Sequence, residues 1–252
     1  MSLTQVKEYI KNVIAKTGLF HTRAYILYRL VRGRENITHL LQKKRANRFS
    51  KIYETGTWLN GRNSGSLSGS GSEVLNTGKI REELPKILAQ LRVASLLDIG
   101  CGDWNWMRHI ELPCKYIGVD IVPSVIRRNT AEFGSSNRKF IILDAVEEPL
   151  PDCDVILCRE VLFHLSFSDG LSLIKNTLQS SARYLLATSD MDTEINNDIR
   201  TGDFRFLNLR RKPFSFPEPI LNIVDDGISK SRRVVVWRIE DIKAEYSRHI
   251  QV

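Results

Sequence analysis

The chain has 252 residues, 42% apolar and 26% charged, with a net charge of +8. This suits one sizeable domain, or a core domain with an appended segment, of ordinary soluble composition. No run approaches the ~18 apolar residues of a membrane-spanning helix, and Lys7, Lys11 and Lys16 interrupt the apolar positions that a secretory signal needs.

The positive charge is concentrated at the start. Residues 1–52 hold twelve Lys/Arg against Glu8 and Glu35, so the rest of the chain is slightly acidic. Val6, Tyr9, Ile10, Val13 and Ile14 make one apolar stripe of a helix over residues 4–17. Further helical stretches are expected over 22–32 and 36–47. Three uses fit this basic segment: a cap packed on the main domain, an amphipathic surface facing anionic lipid or a phosphate-bearing substrate, or a surface for RNA.

Residues 60–72 are rich in Gly and Ser, as a flexible linker or an ordered lid would be. A helical pattern follows over 77–91, with Pro85 implying a kink or a helix start. From residue 94 apolar runs alternate with helical ones. Strands are expected over 94–99, 116–122, 140–144, 154–158 and 184–188, with helices over 104–110 and 124–133 and one capped by Ser168. Near-continuous apolar strands separated by helices specify a parallel sheet covered on both faces. The stretch 190–218 is polar and turn-rich. Strands at 220–224 and 233–237 are too close for a crossover helix, so they should be antiparallel.

Chemistry gathers at the ends of the first three strands. Leu96-Leu97-Asp98-Ile99-Gly100-Cys101-Gly102-Asp103 is a strand running into a Gly-x-Gly turn, which lets a ligand approach the backbone closely. Asp120 lies 20 residues beyond Gly100, where a carboxylate can accept from both hydroxyls of a ribose. Asp144 can accept from an exocyclic amine of adenine. Asp98 and Asp103 would repel a pyrophosphate, which disfavours a nicotinamide dinucleotide and favours a ligand with a cationic or amine end.

Leu-Leu-Asp-Ile-Gly-Cys-Gly, Gly-Val-Asp and Leu-Asp-Ala resemble the first three motifs of class I S-adenosylmethionine-dependent methyltransferases. The resemblance implies a Rossmann-like α/β sheet of order 3-2-1-4-5-7-6, strand 7 antiparallel, behind an N-terminal helical cap. It implies S-adenosylmethionine as cofactor, held by Asp98, Gly100, Cys101, Gly102, Asp120, Ile121, Asp144 and Ala145. Cys-Gly-Asp-Trp-Asn-Trp-Met, Asp-Ile-Val-Pro and Leu-Cys-Arg-Glu-Val-Leu-Phe-His-Leu-Ser resemble a little-characterised group of bacterial methyltransferases, some similar to enzymes of cell-surface glycan synthesis. The expected organisation is a basic helical cap at 1–52, a Gly/Ser-rich lid or linker at 53–76 and a methyltransferase domain at 77–252.

A hydroxyl acceptor needs a base. His164, beyond the fourth strand, suits that task, although a packed histidine would look the same. Arg159 can hold an acidic substrate group or the cofactor carboxylate, or pair with Glu160 or Asp190. Asp198, Arg200, Thr201, Asp203, Arg205 and Asn208 offer an acceptor pocket for a hydroxylated molecule. Trp104 and Trp106 can wall the cofactor or fill the core. The four cysteines (Cys101, Cys114, Cys153, Cys158) lack Cys-x-x-Cys spacing, which points to free thiols in a reducing compartment and to no metal site. The combined expectation is a cytoplasmic O-methyltransferase for a small hydroxylated or glycan-like acceptor, with an anionic membrane surface as a further partner through the cap. An RNA methyltransferase and a cofactor-binding module without turnover are the alternatives; nucleic acid is not the expected partner.

Overall fold

Seven strands form one sheet in the order 3-2-1-4-5-7-6. They are β1 (Ser95–Ile99), β2 (Lys115–Asp120), β3 (Arg138–Ile142), β4 (Val155–Cys158), β5 (Tyr184–Asp190), β6 (Leu221–Val224) and β7 (Arg232–Arg238). The first five pair in parallel, and β7 runs antiparallel to both β5 and β6. This computed structural model describes residues 23–33, 36–59 and 65–250. The helix expected over 4–17 and residues 60–64 of the Gly/Ser stretch lie outside the described residues.

Successive side chains of a strand point to opposite faces, and in the central strands both faces are buried, whereas the edge strand β3 is largely exposed. Leu97, Ile99, Ile156 and Leu185 enter one core with Leu173 and Ile174. Leu96, Val155, Leu157 and Leu186 enter the other with Ile80, Leu84 and Leu88. The covering helices include α3 (Gly78–Gln90), α4 (Pro123–Phe133), α5 (Phe167–Gln179) and α6 (Ile239–Ile250), preceded in the chain by α1 (Arg23–Val31) and α2 (Arg45–Thr55). The α6 helix has no counterpart in the sequence expectations. No described helix is long and apolar enough to cross a membrane.

Several expected boundaries move, for local reasons. The helix expected over 36–47 divides: a 3-10 turn covers Thr38–Leu41, extended backbone at Gln42 and Lys44 interrupts it, and α2 starts at Arg45. No α-helix follows Trp104, whose φ of 56° is left-handed; only a 3-10 turn, Met107–His109, forms. The cap of α5 is Ser166 rather than Ser168, its hydroxyl accepting from the Asp169 N–H at 3.2 Å. Pro85 lies inside α3, which neither starts nor ends there. The stretch 190–218 is irregular yet contributes Leu207, Leu209, Phe214 and Phe216 to the core.

Ahead of the sheet, Ile26, Ile37 and Leu40 form a small cluster of their own. Ile52 of α2 is fully buried, and Phe49 packs on the main core. Three arginines of this layer, Arg29, Arg45 and Arg48, turn inward, while Arg32, Lys43 and Lys44 are exposed. Arg48 donates to the Thr201 and Gln42 carbonyls at 2.7 and 2.8 Å, and Arg29 pairs with Asp203.

Candidate active site

A cavity opens at the C-terminal ends of β1, β2 and β3. Gly100 and Gly102 turn the chain beneath it with φ of 69° and 57°. A Cβ on Gly100 would lie 2.5 Å from Val161, and one on Gly102 would overlap the Ser68 hydroxyl. Both positions therefore require glycine for space as well as for backbone angle. Asp120 lines the cavity and accepts from the Gly102 N–H at 3.1 Å and the Val122 N–H at 3.0 Å. Burial raises its pKa to about 6, opposed by those N–H groups. Ile121, Leu143, Ala145 and Val146 supply apolar wall.

The Gly/Ser stretch, from residue 65 onward, lies on this turn in fixed contacts. Asp103 accepts from the Leu67 N–H at 2.6 Å and the Ser66 hydroxyl at 3.0 Å. Its own N–H donates to the Ser68 hydroxyl at 2.8 Å, which shares a second hydrogen bond with Tyr53 at 2.9 Å. The Asn105 amide donates to the Ser72 carbonyl at 2.9 Å, and Arg159 donates to the Gly71 carbonyl at 2.8 Å. Ser68 and Ser72 both line the cavity.

A second cavity adjoins the first; Trp58, Ser68, Glu160 and His164 line both. His164 ends a 3-10 turn, Leu162–His164, and its Nδ1 lies 2.8 Å from the Asp203 carbonyl. A carbonyl only accepts, so Nδ1 carries the proton and Nε2 keeps its lone pair. Trp58 stacks on the ring at 5.2 Å. Burial lowers the imidazole pKa to about 4, so His164 is neutral at pH 7. Glu160 holds a left-handed φ of 59°, with its N–H donating to Thr188 at 2.9 Å and its carboxylate accepting from Arg232 at 2.8 Å.

A model of a methyltransferase domain matches residues 75–221, more than half of the chain and all five parallel strands. The chain belongs to that methyltransferase family. Its sheet order is that of the class I S-adenosylmethionine-dependent members, and S-adenosylmethionine is the cofactor of this fold. Among solved structures, the chain is similar to the N-methyltransferase NodS from Bradyrhizobium japonicum WM9, in complex with S-adenosyl-L-homocysteine. Identity there is 17%, over 60% of this chain and 75% of that one, at a TM-score of 0.45. It is similar to the methyltransferase domain of bacterial CtHen1 at 14% identity over 65% and 99% of the two chains, TM-score 0.46. With TnmH the identity is 12% over 65% and 55%, TM-score 0.51. No curated protein matches the chain in sequence.

The residues of the first cavity fit this cofactor. Asp120 offers acceptors for ribose hydroxyls, the apolar wall suits a purine face, and the glycine turn leaves room against the backbone. The two arginines lining the cavity are already neutralised, Arg159 by Asp225 and Arg45 by Asp144 and Asp169. Neither is then a free cation for a phosphate.

The structure separates the cofactor residues expected from sequence. Gly100, Gly102, Asp120, Ile121, Asp144 and Ala145 line the cavity. Asp98 does not, because alternation along β1 gives the cavity face to Ile99. Asp98 instead accepts from the Tyr116 hydroxyl at 2.6 Å on the opposite face, where burial raises its pKa to about 7. Cys101 is buried in that same core beside Asn129. Asp103 anchors the serine-rich loop and is not aimed at a cationic ligand. The Asp144 carboxylate, expected to meet adenine, accepts from Arg45 at 2.8 Å and the Val146 N–H at 3.1 Å. Arg45 has no sequence signal, since it sits in a run of charges that reads as solvated. Trp104 and Trp106 are core residues.

The acceptor residues expected from sequence mostly hold the fold. Among Asp198, Arg200, Thr201, Asp203, Arg205 and Asn208, only Asp203 lines the second cavity. Asp198 accepts from the Phe167 N–H at 2.6 Å, and the Thr201 hydroxyl accepts from the Ser166 N–H at 2.9 Å. Arg205 lies over the Phe167 ring, and Asn208 bonds the Met191 and Thr193 carbonyls. Arg159, expected to act in catalysis, is held by Asp225 at 2.9 and 3.0 Å and by the loop carbonyl of Gly71. Its nearest acid is Asp225, in the turn after β6; the expected Glu160 also lies within ion-pair range at 3.9 Å, while Asp190 pairs with Arg232. Among the described residues no His/Cys/Asp/Glu group is arranged to hold a metal ion, and the four cysteines are unpaired.

Proposed function

We propose that this methyltransferase transfers a methyl group to a hydroxyl of a small, neutral, glycan-like acceptor bound in the second cavity. One observation carries the reading: His164 stands in the wall common to both cavities with its tautomer fixed so that Nε2 is the free base. When bound, S-adenosylmethionine supplies an electrophilic methyl whose bond to sulfur breaks as the acceptor oxygen binds it, the electron pair staying on sulfur. His164 takes the hydroxyl proton on Nε2, and the Asp203 carbonyl and carboxylate stabilise the imidazolium. Trp58 and the loop at residues 65–72 exclude water and orient the acceptor.

The charges of the second cavity support a neutral acceptor. Arg29 is paired with Asp203, and Arg232 with Glu160 and Asp190. An RNA substrate would call for unpaired cations along its phosphates, and those lining both cavities are already engaged.

The test is a screen of hydroxylated and amine acceptors, scored by release of S-adenosylhomocysteine. Hydroxyl acceptors should turn over, and His164→Ala should lower kcat by about 10²–10⁴ while cofactor affinity stays within a few-fold. Turnover of amines alone, or an unimpaired His164→Ala enzyme, would overturn the proposal.

A further inference from the structure

The layer ahead of the sheet is basic by composition, and the structure divides that charge. Arg29, Arg45 and Arg48 are engaged by Asp203, Asp144 and the Thr201 carbonyl. Arg32, Lys43 and Lys44 stay exposed, and none of the three forms an ion pair among the described residues. Glu35 is the one acid between Arg23 and Tyr53, so little in this stretch can neutralise them.

The α1 helix is divided in the same way. Its 3.6-residue period places Ile26, Arg29 and Leu30 on one face. Ile26 is buried with Ile37 and Leu40, Leu30 packs against that cluster, and Arg29 reaches Asp203. The opposite face carries Leu27, Tyr28 and Val31 at 53, 54 and 87% exposure. Arg32 belongs to this outward side, its Nη1 donating to the Tyr28 hydroxyl at 3.0 Å. The turn Thr38–Leu41 packs on α1 through Leu40 and ends at Leu41, which is also exposed, just ahead of Lys43 and Lys44.

A single exposed leucine is ordinary, but a helix face of three large apolar side chains beside unpaired cations is a docking surface. Its charge decides the occupant. RNA would meet the cations and leave Leu27 and Val31 in water. An uncharged protein surface would cover the apolar face and strand the cations. An anionic bilayer satisfies both at once: apolar side chains enter the acyl boundary, while the long stems of arginine and lysine carry their charges to the headgroups.

We propose that the outward face of α1, with Arg32, Lys43 and Lys44, docks on an anionic lipid surface. The contact is peripheral, because no described helix can cross a membrane. Arg29, Asn36 and Ile37 of the same layer line the second cavity, so docking holds that cavity within about one helix diameter, roughly 10 Å, of the bilayer.

The probes are vesicles of phosphatidylcholine alone and of equimolar phosphatidylcholine and phosphatidylglycerol. The full chain carrying Val31→Cys and Cys114→Ser is labelled at residue 31 with an environment-sensitive dye, the other three cysteines being buried. Anionic vesicles are expected to shift the dye emission to the blue, and neutral vesicles to leave it unchanged. Unlabelled wild type should co-sediment with the anionic vesicles alone. Replacing Arg32, Lys43 and Lys44 together by Gln should weaken that binding about a hundredfold, each cation near the surface being worth about fivefold. Wild type that ignores anionic vesicles, or binds both kinds equally, would overturn the proposal. So would undiminished binding by the triple variant, which would assign the contact to residues 1–22. A dye already in apolar surroundings before vesicles are added would mean that another part of the chain, or a second copy, covers this face, and would overturn it as well. Wild-type sedimentation decides even if a variant fails to fold. Neither measurement reads methyl transfer, so failure here leaves the proposed reaction to its own assay.

Discussion

Asp120 should carry the pH dependence of cofactor binding. Burial holds its pKa near 6 in the free protein, and ribose hydroxyls donate to the ionised form. The bound state thus prefers the carboxylate, and affinity is full above about pH 6 and weakens as the pH falls through it. Titration calorimetry with S-adenosylhomocysteine from pH 5 to 8 should show this loss, approaching tenfold per unit on the acid side. Asp120→Asn should bind about 10- to 100-fold more weakly at pH 8, the worth of hydrogen bonds to a charged group, and show no acid-side loss. A wild-type affinity flat to pH 5 would refute the role. His164 adds nothing in that window, since its pKa near 4 leaves it neutral throughout. Single residues also show what sequence leaves out. Asp98 and Asp120 both read as acids at strand ends, yet the pleat turns Asp98 to Tyr116 and only Asp120 to the cavity.

Two elements roof the first cavity, α2 and the loop at residues 65–72, and a charged side chain helps to hold each. Arg45 at the start of α2 reaches Asp144, Glu147 and Asp169. Removing it leaves two part-buried carboxylates uncompensated, so Arg45→Ala should lower stability by about 1–3 kcal/mol, read as a drop in the denaturant midpoint. Asp103 does the same for the loop, taking the Leu67 N–H and the buried Ser66 hydroxyl. Asp103→Ala should free the loop, speed S-adenosylhomocysteine dissociation about tenfold, and expose residues 65–72 to limited proteolysis. An unchanged off-rate in stopped flow would show that the loop does not close the site. A Gly/Ser-rich composition suggests flexibility in isolation. Here serine hydroxyls and unhindered glycine backbone instead provide the contacts that seat the loop on the turn.

For the molecule as a whole, the sheet was legible because strand and helix periodicity is local: each apolar run declares itself within about six residues. The antiparallel pair β6–β7 followed from a connection too short for a crossover. The roof was not legible, because its meaning lies in distant partners. Arg45 meets Asp144 and Asp169 across 99 and 124 positions of sequence, and no local window shows a charge turned inward. Arg29 and Arg48 belong to the basic segment whose composition fits a packed cap or an amphipathic surface alike, and only their distant partners, Asp203 and the Thr201 carbonyl, show them turned inward. Cap and sheet therefore share one site: Arg45, Phe49, Tyr53 and Trp58 line the cofactor cavity together with residues of β1, β2 and the segment after β3. A ligand seated there stabilises every element that closes around it, by restricting the local opening of each. Hydrogen–deuterium exchange of the full chain should consequently show S-adenosylhomocysteine protecting residues 45–58 and 65–72 along with the glycine turn at 98–104. Protection confined to the turn and to β2 would mean that the cap merely neighbours the site. Protection across all three segments, diminished in Arg45→Ala at the first alone, would show that the cap closes over the cofactor through this arginine.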